Sequence, residues 1–284
     1  MSRKSPFVVS ADWLEKRLNE PGLSIVDASW YLPAQNRDPR AEYDAAHIPG
    51  AVFFDQDKVA DHSSGLPHTI PPEAEFAQEA SSMGITAQDT IVVYDGPGIF
   101  TAPRVWWLFR LMGAKNVFVL DGGFDRWKAE GRPVTAEVTK IAPSTFIAKC
   151  DMRQVASFQK MRAIVEDGSV QIADARSSGR FSGEEPEPRA GMRSGHMPGA
   201  RNVPVMSLSQ NGELKDLDAL KTIFEQAGID LDKPVVTSCG SGVTAAAITL
   251  ALQSLGHEDN LLYDGSWSEW GSRADTPVET GKAK

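Results

Sequence analysis

The sequence predicts an α/β protein of two tandem domains, each a mainly parallel sheet with helices on both faces. Three observations carry that prediction. The chain has 284 residues, long for one hydrophobic core and comfortable for two. It repeats itself once along its length. Within each copy, β-rich runs alternate with helical ones, the pattern of parallel strands joined by crossover helices.

Taken in chain order, each copy opens on a strand: "IVDASW" from Ile25 is answered 147 residues later by "IADARS" from Ile172. An excursion then ends in H-x-P-G-A, where "RAEYDAAHIPGA" from Arg40 matches "RAGMRSGHMPGA" from Arg189 at a separation of 149. The longest match pairs Val92 to Trp127 with Val235 to Trp270 at a constant 143, without a gap. It reads as strand, helix, a second apolar run, a loop and a helix closing "D-G-x-x-x-x-W". Gly113 and Gly256 end the equivalent helices, where a left-handed cap suits glycine. Pro133 to Ser144, helix-poor and with two prolines, is the expected connection. The expected domains are residues 1–136 and 146–284, joined by a linker at 137–145.

Composition is that of a globular protein, 41% hydrophobic and 24% charged, with no apolar run near the roughly 20 residues of a membrane span. The N-terminal "MSRKSPFVVSADWLEKRL" passes at once into strand and helix patterns with no extended apolar region, so a cytoplasmic location is expected. A formal net charge of −9 disfavours nucleic acid and anionic lipid as partners, leaving small molecules and proteins. Two cysteines, Cys150 and Cys239, are too few for a disulfide scaffold or a four-thiolate metal site. His47 and His196 occur once per copy in the H-x-P-G-A turn, with no second ligand at metal spacing, so a turn-fixing hydrogen bond is expected of each. Neither metal nor organic cofactor is expected.

Chemistry concentrates at "VVTSCGSGVTAAAITLALQSLG", where a β-rich run meets a long apolar one at Cys239. Backbone N–H groups converge where a strand turns into a helix, and a thiolate there is stabilised by them and by the helix dipole. Gly240 and Gly242 let the loop Cys239-Gly240-Ser241-Gly242-Val243-Thr244 curl around the sulfur as an anion nest. A cysteine phosphatase would need an arginine six residues after the cysteine, and that position is Ala245. A buried inert thiol is the bland alternative for Cys239. At the constant separation of 143, Cys239 stands opposite Gly96, so the first copy has no thiol and the chemistry is expected in the second. Arg180 and Arg189 sit in a loop rich in Gly, Pro and Glu, either as solvated surface charge or as a bidentate grip on a carboxylate. Arg104, Arg176 and Cys150 read as structural, and Trp106 and Trp107 as packing at the core and domain interface.

The paired "HIPGA" and "HMPGA", with "TAPRVWW", "DARSSGRF", "EPEPR", "DGG" and above all "CGSGVTA", resemble the tandem rhodanese-domain sulfurtransferases over essentially the whole chain. The loop is most similar to the branch that uses 3-mercaptopyruvate; thiosulfate-using relatives carry a basic pair where Gly240 and Ser241 stand. The resemblance implies two tandem rhodanese-like domains and a persulfide on Cys239. It also implies that Ser241 works with His68 of "GLPHTIPP" and Asp57 of "FFDQDKV", while Arg180 and Arg189 bind the substrate carboxylate and ketone. The loop from Gly240 through Gly242, Val243 and Thr244 would stabilise the persulfide, and a thiol such as thioredoxin or a low-molecular-weight thiol, or cyanide, would accept the sulfur. A thiosulfate:cyanide sulfurtransferase and a non-catalytic sulfur-carrier or regulatory module are the rival readings.

Overall fold

A computed structural model describes residues 3–283. The first unit runs β1 (Val8–Val9), α1 (Ala11–Glu15), β2 (Leu23–Asp27), α2 (Pro39–Ala45), β3 (Ala51–Phe53), α3 (Glu73–Ser82), β4 (Thr90–Tyr94), α4 (Ala102–Leu111), β5 (Asn116–Leu120) and α5 (Gly123–Ala129). The second runs β6 (Val155–Ala156), α6 (Phe158–Asp167), β7 (Gln171–Asp174), α7 (Ser178–Ser182), β8 (Ala200–Asn202), a hairpin β9 (Ser209–Gln210) and β10 (Glu213–Leu214), α8 (Leu217–Gln226), β11 (Val235–Ser238), α9 (Ala245–Ser254), β12 (Asn260–Tyr263) and α10 (Ser266–Trp270). The sheets share one topology, β1-β5-β4-β2-β3 and β6-β12-β11-β7-β8, and every pairing in them is parallel.

Local chemistry explains the element boundaries. Ser10, Asp38, Ser157 and Asp216 cap α1, α2, α6 and α8 by accepting a backbone N–H of the first turn. Gly113 and Gly256 take φ of +104° and +81° just beyond α4 and α9, as their spacing predicts. The central strands "TIVVY" and "VVTS" are almost wholly buried, as strands covered on both faces must be.

Helices α4 and α9 are buried along nearly their whole length, because each packs on its own sheet and on the other. One apolar core therefore runs through both units, from Val93, Trp106 and Phe109 to Val235, Ile248 and Leu252. The two histidines of H-x-P-G-A each tie a later segment back to their turn. His47 Nδ1 bonds the Tyr43 carbonyl at 2.8 Å and pairs by backbone with Thr135, while His196 Nδ1 bonds the Phe181 carbonyl at 2.8 Å and pairs with Glu279. Between the units the chain stays on the first sheet's side: Thr139 Oγ1 donates to the Ala51 carbonyl and Ser144 Oγ to those of Ser81 and Ile85.

The repeat is not electrostatically even. Asp174 at the end of β7 is ion-paired to Arg176, both fully buried. In the first unit Ser29 replaces that arginine, and Asp27 has no cation beside it among the described residues but accepts the Ser29 backbone N–H at 2.9 Å. Burial pushes Asp27 up to about 6, against the opposing hydrogen bonds from Ser29. A carboxyl whose folded pKa lies above its unfolded one stabilises fully below about pH 4, and that contribution is lost as pH rises through about 6. Asp27→Asn should therefore gain stability over the parent by about 2 kcal/mol between pH 4 and pH 8. Urea unfolding at the two pH values checks this; a parallel pH dependence in both proteins contradicts it.

Candidate active site

The carboxyl ends of the second sheet's strands form the floor of a cleft facing the first unit. β11 ends at Ser238 and α9 begins at Ala245, so Cys239 to Thr244 must turn the chain in six residues. The start of α10 holds this loop. Cys239 N–H donates to Ser266 Oγ (3.2 Å), the Cys239 carbonyl accepts from Trp267 N–H (3.0 Å), and the Gly240 carbonyl accepts both Ser268 N–H (2.8 Å) and Oγ–H (2.7 Å). Gly242 takes φ +81°, and a Cβ there would stand 2.8 Å from the Asp264 carbonyl oxygen, so glycine is required. Among the described residues no acceptor takes the N–H groups of Gly240 to Thr244. Cys239, at the start of this loop of free donors, is 2% exposed.

The first unit shows what such a ring holds, and corrects the alignment. Phe124 N–H donates to the Asp95 carbonyl as Trp267 N–H does to that of Cys239, and Asp125 N–H to Gly96 as Ser268 N–H to Gly240. The equivalent of Cys239 is therefore Asp95, not Gly96, and the first loop is one residue longer. The Asp95 carboxylate sits inside its own loop, accepting the N–H groups of Gly98 (2.6 Å), Phe100 (2.9 Å), Thr101 (2.5 Å) and Ala102 (2.7 Å). Burial raises its pKa, and those four N–H groups oppose the rise. In one copy the loop closes on its own carboxylate; in the other it starts with a thiol and leaves its N–H groups free.

Asp57, His68 and Ser241 form one hydrogen-bonded line. Asp57 Oδ1 lies 2.8 Å from His68 Nε2, and His68 Nδ1 lies 3.0 Å from Ser241 Oγ across 173 residues of sequence. The carboxylate only accepts, so it fixes the proton on Nε2 and leaves Nδ1 to accept from the Ser241 hydroxyl. His68 and Ser241 are buried, whereas the Asp57 side chain is 69% exposed. The His68 hydrogen bond, reinforced by Trp30, lowers the Asp57 pKa below its ordinary value against partial desolvation. Trp30 Nε1 donates to both Asp57 oxygens at 3.0 Å and its ring meets His68 edge-on at 4.8 Å.

The two arginines differ. Arg180 Nη2 donates to Glu187 Oε2 at 2.5 Å, and the same buried glutamate binds Arg176 Nη1 at 2.7 Å. A Cβ on Gly240 would stand 2.9 Å from Arg180 Nη2, so the guanidinium lies directly against the cysteine loop. Arg189 has neither a hydrogen bond nor an ion pair among the described residues. Burial lowers its pKa, opposed by the charges of Cys239 and Asp57. A half-buried guanidinium with no protein partner is suited to hold the carboxylate of a bound anion.

Cys239, Gly240, Ser241, Val243, Thr244, Arg180 and Arg189 all line one cavity of about 390 Å³, walled by Trp30, Leu32, Phe100, Val205 and Met206. His68 and Asp57 do not line it and connect to it through the Ser241 hydrogen bond. A wider surface depression around Lys4, Gln210 and Lys215 carries neither cysteine nor histidine. Sequence reasoning missed Trp30, Glu187, Ser266 and the apolar wall. Only Glu187 left a signal, as a carboxylate two residues before Arg189 in "EPEPR".

A model of the rhodanese-like domain matches residues 10–130 and again 157–273. The 3-mercaptopyruvate sulfurtransferase of Escherichia coli K12 is 42% identical, over 97% of this chain and 99% of its own length. The Arabidopsis thaliana protein named thiosulfate/3-mercaptopyruvate sulfurtransferase 1, mitochondrial, is 43% identical over 96% of this chain and 78% of its own. Among solved structures, the Escherichia coli 3-mercaptopyruvate sulfotransferase SseA superposes with a TM-score of 0.86 at 39% identity, over 93% of this chain and 99% of that one.

Proposed function

We infer from one premise, that the chain belongs to the rhodanese-like family in two tandem copies, that it moves the sulfur of 3-mercaptopyruvate through a persulfide on Cys239 to an acceptor, releasing pyruvate. The observation that carries this reading is the pair of loops, one closed on the Asp95 carboxylate and the other open around Cys239 beside an unpaired Arg189.

In the first half-reaction, Arg189 takes the substrate carboxylate, and Arg180, steadied by Glu187, takes the ketone oxygen. The Cys239 thiolate attacks the substrate sulfur. An S–S bond forms, the C–S bond breaks, and its electron pair leaves as pyruvate enolate, whose oxygen is stabilised by Arg180. The substrate thiol's proton passes to Ser241 as the Ser241 hydroxyl proton moves to His68 Nδ1, and the chain then returns a proton to the enolate carbon. The loop N–H groups hold the persulfide anion, as an oxyanion hole holds oxygen. In the second half-reaction an acceptor thiolate, from thioredoxin or a low-molecular-weight thiol, or cyanide, attacks the outer sulfur and restores the Cys239 thiolate. The cytoplasm is the proposed compartment, supported by two unpaired cysteines; no helix among the described residues is long and apolar enough to cross a membrane.

Thiosulfate is the second donor to consider, because the Arabidopsis relative's name carries both. Thiosulfate leaves as sulfite, which needs no proton on carbon, so the relay separates the donors. Ser241→Ala should lower kcat for mercaptopyruvate by about 10²-fold with KM nearly unchanged, while any thiosulfate turnover falls far less. Pyruvate and sulfite release, measured side by side, check this. Equal losses with both donors would remove the proton role from Ser241.

A further inference from the structure

Arg104 lies on α4 of the first unit and is 1% exposed. Its Nη2 donates to the His68 carbonyl (2.5 Å) and to Asp264 Oδ1 (2.7 Å), and its Nη1 donates to the Gly242 carbonyl (3.3 Å). Asp264, from the second unit, accepts the Ile70 N–H on its other oxygen at 2.8 Å. One guanidinium thus touches the backbone of the relay histidine, the backbone of the residue after Ser241, and a carboxylate that itself grips the residue two beyond His68.

Both clamped backbones need holding. His68 takes φ +59°, a left-handed conformation that a residue with a Cβ rarely adopts unless its surroundings impose it. Arg104 bonds its carbonyl on one side and Asp264 fixes the Ile70 N–H on the other. Gly242 is confined between the Asp264 carbonyl and Arg104 Nη1. The Trp107 ring, with its centroid 4.9 Å from the guanidinium carbon, backs the clamp. Neither Arg104 nor Asp264 lines the substrate cavity.

We propose that Arg104 and Asp264 are positioning residues, an interdomain clamp that sets the contact between His68 and Ser241 and through it the rate of the proton step. The proposal rests on the relay described above. Lysine keeps the charge but cannot present the fork that reaches three acceptors. In single-turnover pyruvate release, Arg104→Lys should slow the step about 10- to 100-fold while leaving the half-saturating mercaptopyruvate concentration within about twofold. His68→Ala should be slower still, and adding Arg104→Lys to it should cost nothing more, because the clamp acts through the imidazole. Asp264→Asn should give the same pattern with a smaller loss, and serves where Arg104→Lys does not fold. A clamp variant that loses the same factor with and without His68, or that keeps the parent rate, overturns the proposal. A parental rate in His68→Ala itself brings down the relay reading and the clamp's role with it, and is distinguishable because it shows in the variant that leaves Arg104 intact.

Discussion

Cys239→Ser should carry no sulfur after mixing with 3-mercaptopyruvate and should release pyruvate roughly 10⁴-fold more slowly than the parent, or not at all. A serine hydroxyl in the same nest is not ionised at neutral pH and forms no stable bond to transferable sulfur. The substitution removes one polarisable atom from a buried site and keeps every backbone donor, so the melting temperature should stay within about 2 °C. Chemistry and stability are therefore separable in this variant. A Cys239→Ser protein that still releases pyruvate at a tenth of the parental rate would mean that the sulfur leaves by another route.

The second large effect belongs to Arg189. Its guanidinium is half-buried, unpaired, and beside the sulfur in a cavity that is otherwise largely apolar. A charge-assisted bidentate contact in such a place is worth about 3–4 kcal/mol, so Arg189→Ala should lower kcat/KM for mercaptopyruvate by about 10²- to 10³-fold. Arg189→Lys should recover only part of that, since an ammonium cannot match both carboxylate oxygens. Arg180→Ala should differ in kind. It leaves Glu187, buried between two arginines, with only Arg176, so it should lower thermal stability as well as rate. Steady-state kinetics beside thermal melts of the three variants check the contrast; equal kinetic and thermal losses in Arg180→Ala and Arg189→Ala would contradict it.

Much of the fold was legible in residue order because the chain carries its own template. The H-x-P-G-A turns, the D-G-x-x-x-x-W closures and the C-cap glycines recur at matching places, and the two sheets share one strand order. What failed was register. Val92-Val93 and Val235-Val236 align so readily that an ungapped match hid the extra residue in the first loop, and with it the fact that Asp95 stands in for Cys239. Identity of apolar residues cannot fix a strand's end when neighbours are interchangeable; the hydrogen bonds to α5 and α10 do.

The cysteine loop was readable from local chemistry, since a glycine-flanked thiol between a strand and a helix is a nest on any fold. The line from Asp57 through His68 to Ser241 was not, because its geometry is created by α4 packing on α9, and only family resemblance pointed to it. Trp30 and Arg104 were unreadable for a related reason. Each acts through a contact more than 25 residues away in sequence, and a lone tryptophan or arginine carries no sign of that.

Which donor loads Cys239 is read directly by intact-protein mass spectrometry after a brief, acceptor-free exposure. With 3-mercaptopyruvate the parent should gain one sulfur atom, much less with thiosulfate at the same concentration, and Cys239→Ser should gain none with either. Preferential loading by thiosulfate, or no loading by mercaptopyruvate, would contradict the claim that the Cys239 nest and the free Arg189 together form a mercaptopyruvate site.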